Sequence, residues 1–148
     1  GQGIPGRRTG RRGQVMARKM TGMSPEAVAR NQRRAAQEVR MRAERLLLDP
    51  SAEPVALEEL RQHRWWMAFT PQEAARYQLL WDERHLMPMG LFADGLAVIL
   101  NRRVNISECG AENYPALWRE LVGRDIYPSQ WRRNKAQMMG EMRLILGW

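Results

Sequence analysis

Residues 70–81 read TPQEAARYQLLW, and this stretch carries the clearest helix signal in the chain. Thr70 and Glu73 have the spacing of a capping box, and Pro71 stands at the first helical position, where its missing N–H costs nothing. The apolar residues that then recur at the spacing of one buried helix face are Ala74, Tyr77, Leu80 and Trp81. We therefore predict a helix from Pro71 to about Arg84, with one face in the core.

Similar signals predict helices on both sides of this stretch. Ser24, Pro25 and Glu26 form a helix start, and Gly123 is a typical helix end. The further helices are predicted at residues 24–48, 55–67, 91–102, 115–122 and 128–146. One ambiguity is open, because residues 98–106 also fit a short strand. The whole pattern predicts an all-α fold, a small bundle of five or six helices with an extended basic N-terminal arm.

The arm, residues 1–23, is rich in glycine and has no apolar period. It contains no acidic residue, and its basic residues are Arg7, Arg8, Arg11, Arg12, Arg18 and Lys19. A segment of this composition loses too much backbone entropy on ordering to fold by itself. We expect an anionic partner to hold it, most simply a phosphate backbone.

Charge is distributed unevenly along the chain. Residues 1–48 carry 12 basic and 3 acidic side chains, residues 49–123 carry 7 and 11, and residues 124–148 carry 5 and 2. The basic helix predicted at 24–48 has a thin apolar stripe and many guanidinium groups, so we expect it to lie along a charged partner. The remaining domain, residues 49–148, is the helical body. Of the 24 basic residues 22 are arginine, which suits phosphate contacts but is equally expected from GC-rich codon usage.

Arginine and tryptophan stand side by side at two places, a combination suited to stacking on unpaired bases. Trp65 and Trp66 follow Arg64, and another tryptophan precedes Arg132 and Arg133. Packing in a core or against protein is the alternative for these rings. Since adjacent tryptophans on a helix cannot both face inward, we predict that Trp65 lies in the core and Trp66 at a protein interface.

Groups suited to catalysis or metal binding are few. Neither histidine, His63 or His85, stands in a known metal-ligand motif. The single cysteine, Cys109, allows no internal disulfide and has no basic neighbour in sequence to activate its thiol. No phosphate-binding loop occurs, and no apolar run reaches the roughly 18 residues that a membrane helix needs. We therefore expect no enzyme, cofactor, metal site, small-molecule substrate or transmembrane segment.

The Gly/Arg arm, the basic helix and the small helical body rich in Trp and Met together resemble the ribosomal proteins of organelles as a class. No motif matches one particular ribosomal family. The resemblance implies a structural component of a mitochondrial ribosome in the matrix, bound to rRNA through the arm and first helix and to other ribosomal proteins through the body. The residues predicted to contact RNA are Arg7, Arg8, Arg11, Arg12, Arg18, Lys19, Arg30, Arg33, Arg34, Arg40, Arg132 and Arg133.

The first residues of the chain are also consistent with a mitochondrial protein. Because it begins with Gly1 and is Arg-rich and acid-free, we expect that a leader has been removed, as after an organellar transit peptide.

Two other classes of function fit the same residues. One is a phage or bacterial DNA-associated or packaging protein. A helix-turn-helix would favour it, but the third and fourth predicted helices do not clearly form one. An accessory subunit of a large mitochondrial complex would lay the arm on acidic protein or anionic lipid. The composition does not distinguish RNA from DNA as the polyanion.

Overall fold

The computed structural model describes residues 22–131 and 135–148, and this part of the chain contains six α-helices. The helices are α1 (Pro25–Leu47), α2 (Pro54–Gln62), α3 (Pro71–Gln78), α4 (Met89–Leu100), α5 (Tyr114–Val122) and α6 (Lys135–Leu146). Short 3-10 helices occur at Trp65–Ala68, Ile106–Glu108, Ala111–Asn113 and Pro128–Trp131. The prediction of an all-α fold with five or six helices is confirmed for the described residues, which contain no strand at 98–106.

By its internal contacts the chain divides into two units after Gln37, and the second, residues 38–148, is compact. The boundary between the units falls inside α1. Of the arm predicted at 1–23, only Gly22 and Met23 are among the described residues, so the prediction for the arm lies outside them. The core described below belongs to the second unit.

The capping box predicted at the start of α3 is present. The Thr70 hydroxyl accepts from the Glu73 N–H at 3.3 Å, and the Glu73 carboxylate accepts from the Thr70 N–H at 3.1 Å. The helix ends at Gln78, however, and not near Arg84 as predicted. The buried Gln78 amide donates to the carbonyl oxygens of Trp81 and Arg84, both at 2.9 Å, and these bonds hold the chain in turns beyond α3.

α2 also ends earlier than predicted, at Gln62 instead of Met67. Arg64 adopts the left-handed conformation, with φ 52° and ψ 54°, which breaks the helix and begins the 3-10 helix that follows. The turn places the Trp65 indole in the core, where its N–H donates to the Leu86 carbonyl at 2.7 Å. The prediction was wrong because this partner comes from a distant part of the chain.

Aromatic rings fill the centre of the second unit. Trp65 packs edge-on against Phe69 and Tyr77, with ring centroids 5.7 and 6.3 Å apart. Phe92 of α4 contacts Tyr114 of α5, with 5.8 Å between the ring centroids. Such pairs contribute about 0.5–1.5 kcal/mol each beyond the gain from burial. The rings therefore join the turn after α2 to α3, and α4 to α5.

α6 is shorter than the helix that the sequence predicts. It begins at Lys135, later than the predicted start at Pro128, and Ile145 near its end is 61% exposed. The buried residues of the helix are Lys135, Met138, Met139 and Met142. The ammonium group of Lys135 donates to the Leu80 carbonyl and lies 4.0 Å from the centroid of the Trp81 ring. These contacts compensate part of the cost of burying its charge.

Replacing Gly95 by alanine is expected to lower the free energy of unfolding by about 2 kcal/mol or more, because the packing of α3 against α4 leaves no room for a side chain. A Cβ on Gly95 would overlap the Pro71 carbonyl oxygen and would stand 2.7 Å from the Ala75 Cβ. Gly90 in the same helix has open space around it, so Gly90→Ala is the matched control and should keep wild-type stability. Urea unfolding of both variants checks this, and a Gly95→Ala protein as stable as the wild type would contradict it.

Candidate nucleic-acid interface

α1 begins as the sequence predicts. The Ser24 hydroxyl accepts from the Ala27 N–H at 3.0 Å and so caps the helix. Pro25 is the first helical residue, and Glu26 places a negative charge in the first turn, where the helix dipole favours it. These local signals start a helix that does not depend on a broad apolar face.

The surface of α1 carries arginines that are open to solvent. Every residue from 30 to 42 is exposed, and the buried residues of the helix are Ala43 and Leu47. Arg30, Arg33 and Arg34 have the spacing i, i+3 and i+4, so they lie on one face of the helix. None of the ion pairs formed among the described residues includes any of these three. We call Arg30, Arg33 and Arg34 the α1 arginine cluster.

Further along α1, Arg40 and Arg42 have partners in the body. Arg40 donates to a Glu73 carboxylate oxygen at 2.9 Å, and its guanidinium lies 4.7 Å from the centroid of the Phe69 ring. Arg42 lies 3.6 Å from a carboxylate oxygen of Glu59. The Arg40 side chain is still 44% exposed, so these contacts leave part of it accessible.

The other residues predicted to contact RNA lie outside the described part of the chain. They are Arg7, Arg8, Arg11, Arg12, Arg18, Lys19, Arg132 and Arg133. The structure therefore brings three of the predicted residues together, in the α1 arginine cluster, and holds a fourth, Arg40, against α3.

Trp66 is half-buried, whereas its neighbour Trp65 is 1% exposed. The two rings meet edge-on, with centroids 6.3 Å apart. Trp66 also lines an apolar cleft of about 190 Å³ together with Met67 and Leu91. Met67 itself is 73% exposed. The core position of Trp65 is thus confirmed, and an interface at Trp66 stays a prediction.

Trp65→Ala is expected to lower the free energy of unfolding by about 4 kcal/mol, because it removes a buried ring and leaves a cavity. Trp66→Ala should cost only about 1–2 kcal/mol, because part of its ring is already in water. We expect Trp66→Ala to weaken association with partners more than it weakens the fold. Urea unfolding and co-sedimentation with the native assembly measure the two effects. If Trp66→Ala proved as destabilising as Trp65→Ala, Trp66 would belong to the core.

The titratable groups that could support catalysis or metal binding are scattered. His63 is exposed at the end of α2, and His85 is half-buried in the turns after α3. In residues 22–131 and 135–148, no three His, Cys, Asp or Glu side chains are placed to hold a metal ion. Burial raises the pKa of the Cys109 thiol, which keeps it protonated and poorly nucleophilic at neutral pH.

Sequence reasoning missed one group of charged residues. Arg76 of α3 and Arg143 of α6 lie around a small polar cavity with Arg40, Glu44 and Glu73. Arg76 stands between two core positions in sequence, and Arg143 comes from the far end of the chain. No local spacing could have indicated that these side chains meet.

No helix in the described part of the chain combines the length and the hydropathy that crossing a membrane requires. No protein-family model, curated protein or solved structure matches the chain.

Proposed function

We propose that this chain is a structural component of a ribosome, of the mitochondrial kind, that binds ribosomal RNA through the α1 arginine cluster and the basic arm at 1–23. The helical body, residues 49–148, contacts neighbouring ribosomal proteins. The observation that carries the proposal is the α1 arginine cluster, in which three guanidinium groups stand on one exposed helix face without an ion-pair partner among the described residues.

The chemistry of α1 suits contact with a phosphate backbone. Each guanidinium offers donors in a planar fork that matches phosphate oxygens. Neutralising phosphates releases condensed counterions, which gives affinity that does not depend on base sequence. The helix, residues 25–47, contains no aromatic side chain, so it has no ring on which a base could stack. α1 is therefore suited to holding RNA by its backbone within a fixed assembly.

The surface of the body supports contacts with proteins. Large apolar side chains are exposed on several of its helices and turns. They include Val55, Met67, Val98, Leu144 and Ile145, and Leu144 is 87% exposed. Scattered apolar side chains are ordinary at a protein surface, so the apolar cleft lined by Trp66, Met67 and Leu91 is the feature that favours a protein partner.

The pair α3 and α4 is poorly suited to reading duplex DNA. In a helix-turn-helix the second helix enters the major groove and needs polar or basic side chains for base edges and phosphates. α4 has the sequence MGLFADGLAVIL, in which Asp94 is the one charged residue, and its buried face packs into the core. This composition favours RNA-backbone binding over the DNA-associated alternative.

The proposal is tested by measuring the affinity of the full chain for structured RNA and for duplex DNA of equal length over a range of salt concentrations. We expect tighter binding to structured RNA, with log K falling linearly as log salt rises. A preference for duplex DNA would favour a DNA-associated protein. Binding to acidic protein or anionic vesicles, with no binding to RNA, would favour an accessory subunit of another complex.

Nuclease treatment of the native assembly tests the ribosomal part of the proposal. Complete digestion of the RNA should release the chain from the particles with which it sediments. Retention after the RNA has been removed would contradict an anchoring role for rRNA.

A further inference from the structure

A small polar cavity lies between α3, α6 and the C-terminal part of α1. Its volume is about 90 Å³. The charged and polar residues that line it are Arg40, Glu44, Glu73, Arg76, Tyr77 and Arg143, all within the unit formed by residues 38–148. With three guanidinium groups and two carboxylates, the lining carries a net positive charge. The α1 arginine cluster is not part of it.

Arg76 provides the main evidence that this cavity holds a ligand. It is half-buried, and its Nε is buried without a hydrogen-bond partner among the described residues. Its guanidinium lies 4.5 Å from the centroid of the Trp148 ring, a cation–π contact. Burial lowers the pKa of Arg76, Glu73 raises it, and Arg143 lowers it again because a second positive charge is close. A buried donor left unpaired beside a second cation is costly unless an anion accepts from it.

The two carboxylates of the cavity are engaged by other residues. Burial by itself raises the pKa of Glu73, but hydrogen bonds from Thr70 and Arg40 bring it below its usual value. Glu44 lies 3.5 Å from the Arg143 guanidinium, a long contact that an incoming anion can replace. Arg76 and Arg143 therefore have donors to offer, while Glu73 stays bound to the capping box and to α1.

We infer that this cavity binds a phosphate group, with Arg76 and Arg143 as its main ligands. Guanidinium groups from two different helices can donate to a tetrahedral anion from two sides. A planar carboxylate, with its acceptor oxygens in one plane, fits this arrangement less well. Burial and the neighbouring Glu44 raise the pKa of Tyr77, so its hydroxyl stays protonated, and that hydroxyl is bonded to Glu44. The volume of about 90 Å³ is sufficient for a single oxyanion. The phosphate can come from a polynucleotide backbone or from free phosphate in solution.

Thermal unfolding of the full chain in inorganic phosphate, compared with sodium chloride of equal ionic strength, tests the site. We expect phosphate to raise the Tm by several degrees at concentrations well above its Kd, because it binds the folded state. Arg76→Gln and Arg143→Gln should each abolish this rise. Arg124→Gln, at an exposed position away from the cavity, is the matched control and should keep it. An equal Tm in phosphate and chloride for the wild type would overturn the proposal.

A second variant of Arg76 separates the role of its positive charge from the role of its planar guanidinium group. Arg76→Lys keeps the positive charge but loses the planar fork, so it should weaken the phosphate-dependent rise without removing it. The circular dichroism of each variant, measured without phosphate, shows whether it is folded. If folded Arg76→Gln protein kept the full rise, Arg76 would not be a ligand and the proposal would fail.

Titration with structured RNA identifies the source of the phosphate. If the source is the RNA backbone, Arg76→Gln should lower RNA affinity and reduce the salt slope by about 1. If it is free phosphate, RNA affinity should stay unchanged while the Tm rise disappears. Failure of this site is distinguishable from failure of the proposed function, because replacing the α1 arginine cluster should leave the effect of inorganic phosphate intact.

Discussion

Gln78→Leu is expected to lower the free energy of unfolding by about 4 kcal/mol, although leucine is close to glutamine in size. The Gln78 side chain is fully buried, and its carboxamide oxygen accepts from the N–H groups of Leu86 and Met87 at 2.6 and 3.2 Å. Its amide nitrogen donates to the Trp81 and Arg84 carbonyls, both at 2.9 Å. The same nitrogen lies 3.1 Å from the Tyr114 hydroxyl oxygen, so its two N–H groups are shared among three acceptors.

The large effect follows from what Gln78→Leu would leave behind. Buried main-chain groups in the segment between α3 and α4 would lose their partners, and each such group costs about 1–3 kcal/mol. Leucine offsets this loss only by the free energy gained from burying its own apolar side chain. Urea unfolding measures the difference. Gln62→Leu, at the exposed end of α2, is the matched control and should change stability little. A Gln78→Leu protein within about 1 kcal/mol of the wild type would show that the segment finds other partners.

Replacing Arg30, Arg33 and Arg34 together by glutamine is expected to lower the affinity for structured RNA about 10- to 100-fold at moderate salt. The slope of log K against log salt should become less steep by about 2 to 3, because three phosphate contacts are lost. The helix itself should persist, since glutamine and arginine have similar helix propensities and these side chains are exposed. Filter binding or fluorescence anisotropy over a salt series, with circular dichroism for helix content, measures both effects.

The control for this variant has the same net charge. Arg84, Arg103 and Arg124 are exposed arginines of the body, and replacing these three by glutamine removes equal charge from elsewhere. We expect the control to lose little affinity and to keep most of its salt slope. If both triple variants lost the same affinity, binding would depend on total charge and not on the α1 arginine cluster.

Local signals in the sequence determined where several helices begin and end. The capping box of Thr70 and Glu73 forms because both partners lie within one turn of each other. Gly123 ends α5 with φ 80°, a conformation that glycine adopts without strain, and its N–H donates to the Arg119 carbonyl at 2.8 Å. The Ser24 cap of α1 is equally local. These features involve neighbours in sequence, so spacing and residue type are sufficient to predict them.

The early ends of α2 and α3 depend on contacts between distant residues. Trp65 leaves the helical path because its indole N–H finds the Leu86 carbonyl. α3 stops at Gln78 because the side chain of that residue bonds the segment that follows, while Lys135 from α6 donates to the Leu80 carbonyl. Hydrophobic periodicity continues past both ends, so the pattern alone predicts helices that are too long.

Some features of the candidate interface could be predicted from the sequence, and others depend on the tertiary structure. Composition and the thin apolar stripe of residues 24–48 determined that α1 is a helix whose arginines stay at its surface, because a narrow apolar stripe covers little of the helix. Only the tertiary structure decided that Arg40 is paired with Glu73 while Arg76 and Arg143 meet around one cavity. Pairing between charges depends on distance in space, and the packing of α1, α3 and α6 sets those distances among residues that are far apart in the chain.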